Sequence, residues 1–182
     1  MNRLTSAWRP MLLGAVLMLV LVGVAGAVPT DQPSALGEPR QLVIGASDFY
    51  PNIYSTQYYN TGSYMYTVEN QIQRYFLAPV DFPAPYWVTI DKLELFAYDN
   101  SSAGLIQATL QLTKPAIGAD TTIAQIDTDY AFADPAMPRT WETTDISPNV
   151  KNPANEVYVR VQITDDTDLR LYGVRIWYRV GK

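Results

Sequence analysis

The chain predicts an all-β fold: a single antiparallel β-sandwich, jelly-roll-like, behind an N-terminal signal peptide. Three observations carry this. Apolar and polar residues alternate with a period of two through 106–113 and 156–163, the mark of a strand with one buried face. Clusters of Gly, Pro, Asn, Asp and Ser punctuate the chain at short intervals and read as turns. No amphipathic helical pattern of useful length interrupts them. About eight short strands so divided indicate a sandwich or jelly roll.

The first element stands apart from that domain. Residues 11–28, MLLGAVLMLVLVGVAGAV, hold no charge and follow Arg3 and Arg9. A basic start, an apolar run and Ala25-Gly26-Ala27 form the three-part pattern of a secretory signal with an A-x-A cleavage site, over residues 1–27. An uncleaved anchor is the competing reading, since about 18 apolar residues is the lower limit for a membrane span. The small residues crowding the end of the run, and the polar stretch opening at Val28-Pro29, favour cleavage. No later run is long or apolar enough to enter a membrane. Residues 28–40, VPTDQPSALGEPR, read as a flexible linker or as an arm that docks on a neighbouring copy.

The domain is then expected over 41–182, with no internal repeat. Strands are expected at 41–46, 64–67, 71–78 and 88–98. The next, 106–113, turns Ile106, Ala108, Leu110 and Leu112 inward and Gln107, Thr109, Gln111 and Thr113 outward. Strands at 121–127 and 140–146 follow. In 156–163, Val157, Val159, Val161 and Ile163 face in, and Glu156, Tyr158, Arg160 and Gln162 face out. The last strand starts with Leu169 and Leu171 inward, then switches to Val174, Ile176, Tyr178 and Val180. A β-bulge at Gly173 would absorb the change of parity. Turns fall at 60–62, 81–85, 99–104, 114–120, 134–139, 147–155 and 165–168.

Two stretches carry a resemblance: FLAPVDFPAPYWVTIDKLELFAYDNSSAGLIQATLQL (76–112) and NEVYVRVQITDDTDLRLYGVRIWYRV (155–180). Together they resemble a broad group of secreted bacterial β-sandwich proteins, largely uncharacterised. The resemblance implies the sandwich and export; that group carries no catalytic motif to transfer. The chain departs from it at Pro83-Ala84-Pro85-Tyr86, where a Gly-containing turn is usual.

Composition narrows the chemistry. With neither His nor Cys, the chain holds no Ser-His-Asp triad, no Cys-His dyad, no disulfide and no histidine-ligated zinc or copper. An exported domain without disulfides is held by its core and hydrogen bonds alone, and fits a bacterial or archaeal source better than an animal one. Loss of the leader would leave 11 basic against 18 acidic residues, a net charge of −7. An acidic surface without a basic cluster argues against nucleic acid and anionic lipid as partners. Ser-Lys hydrolysis lacks its S-x-x-K spacing. Carboxylate catalysis needs two facing acids. Glu94 and Glu156 lie in strands but read as solvated strand charges.

Between Phe49 and Tyr66 lie seven aromatics in 18 residues, against 12% for the whole chain. Tyr50, Tyr54, Tyr58, Tyr59, Tyr64 and Tyr66 are therefore the candidate ligand or interface residues. Tyrosine is rigid and amphipathic, suited to stacking on sugars or to a subunit contact. It equally caps the open end of a core, and the sequence leaves these open. Asp165, Asp166 and Asp168 are the candidate metal ligands, with calcium the ion such hard oxygens would take. Asp99-Asn100-Ser101 and the pair Asp127, Asp129 are weaker versions, and all these residues are also ordinary turn formers. No other cofactor is indicated. Asn100-Ser101-Ser102 matches a glycosylation acceptor. Trp87, Trp141 and Trp177 read as core or half-core, with Arg175 and Arg179 placed to stack on Trp177.

Three functions remain. The first is a non-catalytic secreted or cell-surface structural protein that self-associates through its sandwich and N-terminal arm, as a homo-oligomer or surface assembly. Its physical basis is strand addition of the arm onto an exposed edge, with the long last strand as support. The second is an extracellular carbohydrate-binding module using the tyrosine-rich loops, with polysaccharide as partner. A glycan-cleaving enzyme is the third.

Overall fold

The computed structural model describes residues 37–54, 56–68, 74–82, 87–101, 103–114, 118–128, 137–146, 150–151, 156–164 and 168–181. The strands, in chain order, are β1 (Arg40–Gly45), β2 (Tyr50–Pro51), β3 (Tyr58–Asn60), β4 (Met65–Thr67), β5 (Arg74–Val80) and β6 (Trp87–Asp99). They continue as β7 (Ile106–Lys114), β8 (Ala119–Asp127), β9 (Arg139–Thr143), β10 (Val150–Lys151), β11 (Glu156–Ile163) and β12 (Leu169–Gly181). A single 3-10 turn, Ala46–Asp48, follows β1. Among the described residues no helix is long and apolar enough to cross a membrane.

Two antiparallel sheets form the sandwich. Sheet A has seven strands along the path β10-β6-β12-β4-β3, with β1 also on β12 and β9 also on β6. Sheet B has five, in the order β2-β5-β11-β7-β8. The inward rows follow from the alternation: Val157, Val159, Val161 and Ile163 of β11 lie opposite Leu112, Leu110, Ala108 and Ile106 of β7. Phe76, Leu93, Leu95, Leu110, Leu171 and Ile176 are wholly buried, each such side chain contributing about 1.5–3 kcal/mol of burial.

The change of parity in β12 is real. Its register on β6 shifts between Leu171 and Gly173. Gly173 has φ +157, and a Cβ there would stand 2.5 Å from the Ile44 carbonyl oxygen. Only glycine lets β1 lie this close. Two further shifts were not legible in the alternation: one in β6 against Trp177/Tyr178, one in β8 against Leu110/Gln111. The very short strands β2, β3 and β10 were also missed, having too few residues to show a period.

Two placements bear on strand addition. The last strand is not an exposed edge: β12 is paired with β6 on one side and with β1 and β4 on the other. The stretch read as a free arm up to residue 40 is engaged at its end, where Gly37 N–H donates to the Val180 carbonyl at 3.1 Å and Arg40 opens β1. Residues 40–45 thus lie along one side of β12 over Gly173–Tyr178. The signal segment, and the arm up to residue 36, lie outside the described residues, as do Pro83–Tyr86.

In place of disulfides, side chains knot the loops at one end. Thr128 Oγ1 donates to Asp99 Oδ2 and accepts from Ile106 N–H at 3.0 Å. Ser101 Oγ accepts from Gly104 N–H at 2.6 Å, and Thr164 Oγ1 from Leu105 N–H at 2.6 Å. Thr128 and Ser101 are buried, so these bonds satisfy groups that water cannot reach.

Candidate functional site

The antiparallel register lays side chains in rows across the outer face of sheet B. One row crosses all five strands: Tyr50, Leu77, Arg160, Thr109, Gln125. The neighbouring row is Pro79, Tyr158, Gln111, Thr122. Thr109 and Gln111 point away from the core, yet only 2% and 3% of their surfaces are exposed. The expectation that they face solvent is therefore corrected. Neighbouring groups cover both side chains.

At one end of this sheet lies an open cleft of about 620 Å³, lined among others by Tyr50, Pro79, Asp81, Glu156 and Tyr158. Its wall is preorganised. Tyr158 OH donates to Asp120 Oδ2 at 3.0 Å, and Thr113 Oγ1 donates to Asp120 Oδ1 at 2.6 Å. The Thr113 and Tyr158 hydroxyls hold the Asp120 carboxyl below its ordinary value. Burial, then the Asp120 hydrogen bond, push the Tyr158 phenol up, so it stays a donor. Gln111 Nε2 donates to Thr122 Oγ1 at 3.1 Å, and Arg160 lies over the Tyr75 ring at 5.0 Å. Flat apolar surfaces thus alternate with oriented hydroxyl, carboxylate and guanidinium groups.

The outer face of sheet A is different. The turn after Asn60, where Asn60 Oδ1 accepts from Gly62 N–H at 2.9 Å and Gly62 adopts φ +87, returns the chain so that Tyr59 pairs with Tyr66. Their rings stack at 5.2 Å. Tyr64 lies 6.2 Å from Tyr66 and 5.5 Å from Tyr172. The Arg170 guanidinium sits over both Tyr64 and Tyr98, at 5.3 and 5.1 Å. Farther along, Glu94 is buried between Lys92 at 2.7 Å and Arg175 at 3.3 Å. Burial pushes the Glu94 carboxyl up, but the Lys92 bond, the Trp177 N–H and the charges of Lys92 and Arg175 outweigh it, leaving it below its ordinary value. No hydrogen bond of good geometry reaches Trp177 Nε1. Arg175 stacks near Trp177 as expected, at 5.8 Å. Arg179 does not: it grips Asp91 through two nitrogens, at 2.6 and 2.9 Å, while Lys92 takes the other place over Trp177, at 5.4 Å. Glu94, read as a solvated strand charge, is in fact 6% exposed.

The six sequence-chosen tyrosines therefore fall in four surroundings. Tyr59, Tyr64 and Tyr66 share the sheet A face. Tyr58 packs edge-on against Phe76 at 5.2 Å and belongs to the core. Tyr50 lines the sheet B cleft. Tyr54 is fully exposed in a loop. Sequence reasoning missed Tyr158, Asp120, Arg170, Tyr172 and Tyr98. The signal was present for Tyr158: it lies in the outward row of the most regular strand. Of the metal candidates, Asp165 and Asp166 lie outside the described residues. Asp168 is exposed, and its carbonyl accepts from Asn100 N–H at 3.1 Å. Asp99 is committed to Thr128 and to Ser101 N–H. Among the described residues no three acidic side chains come together to hold an ion.

No protein-family model matches the chain, and no curated protein sequence matches it significantly. Among solved structures, the C-terminal CBM6 of the marine laminarinase LamC from Zobellia galactanivorans is similar at 14% identity and TM-score 0.44, covering 75% of this chain and 98% of that one. The CBM22-1–GH10 modules of xylanase 10B from Clostridium thermocellum, complexed with xylohexaose, are similar at 10% identity and TM-score 0.47, covering 81% of this chain and 28% of that one. The infectious bursal disease virus Gx strain structure is similar at 14% identity and TM-score 0.40, covering 80% of this chain and 33% of that one. Likenesses this distant assign neither ligand nor activity.

Proposed function

We propose that this is a non-catalytic extracellular carbohydrate-binding domain, exported by a leader over residues 1–27 that is then removed, with the folded domain following a linker that opens at Val28. It takes a neutral polysaccharide in the cleft beside sheet B. The observation that carries this is the open cleft of about 620 Å³ between Tyr50 and Tyr158. A sugar ring presents an apolar C–H face and a rim of hydroxyls. Tyr50, half exposed, offers a flat surface for the first. Asp81 and Glu156 offer acceptors for the second, and the fixed Tyr158–Asp120–Thr113 chain keeps the wall from reorganising on binding, which limits the entropy lost. The acidic rim favours an uncharged ligand over an anionic one.

Affinity electrophoresis of the purified protein through gels containing soluble β-glucan, xylan or galactomannan tests this. At least one neutral polysaccharide retards the wild type, and Tyr50→Ala or Tyr158→Ala weakens retention about tenfold, a loss of about 1.4 kcal/mol. Absence of retardation by every neutral polymer, or retention untouched in both variants, defeats the reading.

A further inference from the structure

We infer that the opposite face of the sandwich carries a second binding site, for a carboxylate- or sulfate-bearing sugar, built around Arg170. The inference does not rest on the cleft, which lies on the other sheet. Strand β12 presents three arginines on its outer face. Arg175 is paired with Glu94 at 3.3 Å and Arg179 with Asp91 at 2.6 Å. Arg170 has no carboxylate partner among the described residues; its guanidinium is held between the rings of Tyr64 and Tyr98.

That arrangement has a chemical consequence. An arginine clamped by two rings has already lost much of its side-chain freedom. Its planar N–H fork is preorganised for a bidentate anion, carboxylate or sulfate, at little further entropic cost. It is half-buried, so part of the residue remains reachable from solvent. The ladder running from it through Tyr64 to Tyr172, and through Tyr66 to Tyr59, supplies ring surfaces and hydroxyls beside the charge. A small inorganic anion would use only the fork; a sugar bearing the anion would use the ladder as well. The chain as a whole is acidic, at −5, but at physiological ionic strength exposed charges act over only about 8 Å. The local guanidinium therefore decides the sign at contact.

The test is affinity electrophoresis of the full chain through polygalacturonate, dextran sulfate and neutral dextran at about 20 mM ionic strength, repeated at higher salt. The expected result is retardation by at least one anionic polymer beyond that by neutral dextran, weakening as salt rises. Arg170→Gln lowers that affinity about tenfold, the loss of one charge-assisted bidentate contact. Arg170→Lys, which keeps the charge but not the fork, gives an intermediate loss. Tyr50→Ala leaves it unchanged, so the failure of either site is visible apart from the other. Retention on both polyanions means recognition of charge, and on polygalacturonate alone, recognition of carboxylate; both sustain the site. If circular dichroism shows Arg170→Gln unfolded, Arg170→Lys decides. Equal mobility in all three polymers, or wild-type retention by the folded Arg170 variants, overturns the inference.

Discussion

Gly173→Ala is the perturbation whose outcome the backbone determines most directly. The added Cβ would lie 2.5 Å from the Ile44 carbonyl oxygen, about 0.9 Å inside the 3.4 Å at which ordinary contact begins. That neighbour is backbone and has no rotamer with which to retreat. The residue also sits at φ +157, a region costing a side chain about 1–3 kcal/mol. Moving β1 away to relieve the overlap adds about 1–3 kcal/mol of overpacking or lost contact. The expected loss is about 2–6 kcal/mol, which at about 2–4 °C per kcal/mol for a domain of this size lowers Tm by about 4–24 °C. Circular dichroism melting of wild type and variant measures it. Gly62→Ala is the control. Its φ is +87, but nothing lies within 4 Å of its Cβ, so it isolates the conformational part and lowers Tm less. A Gly173→Ala Tm within 2 °C of wild type, or equal to that of Gly62→Ala, would falsify the claim that close approach of β1 requires this glycine.

Two further outcomes follow from side-chain chemistry. Thr128→Val keeps the shape but strands the buried Ile106 N–H and removes the donor to the half-buried Asp99 Oδ2; a loss of about 1–3 kcal/mol is expected in urea unfolding, and an unchanged midpoint would deny the knot its role. Acid titration probes Glu94 and Asp120, both held below their ordinary values of 4.5 and 3.8. A depressed folded pKa means the unfolded chain binds protons first, so the stability these groups add is present above the ordinary value and lost as pH falls through the lower folded one. Tm should therefore hold near neutrality and fall below about pH 4.5. Glu94→Gln should be less stable than wild type at pH 7 and converge on it as pH falls through the lowered folded value; parallel curves would count against this.

What was legible in the chain is what local chemistry controls. A period of two sorts side chains to two faces whatever the partners, so the inward rows of β7, β11 and β12 stood out, as did the parity change at Gly173. The absence of His and Cys removed whole classes of chemistry before any fold was known. The tertiary structure decided what depends on pairing between distant segments. It put β1 against β12, because residues 40–45 complete the sheet from within. It divided six clustered tyrosines among core, cleft, loop and sheet A, because adjacent strand residues point to opposite faces. It gave Arg175 and Arg179 acidic partners from β6 and, among the described residues, gave Arg170 only rings. Sequence spacing cannot carry that distinction. It arises from the register of β12 against β6, which bulges on both strands reset.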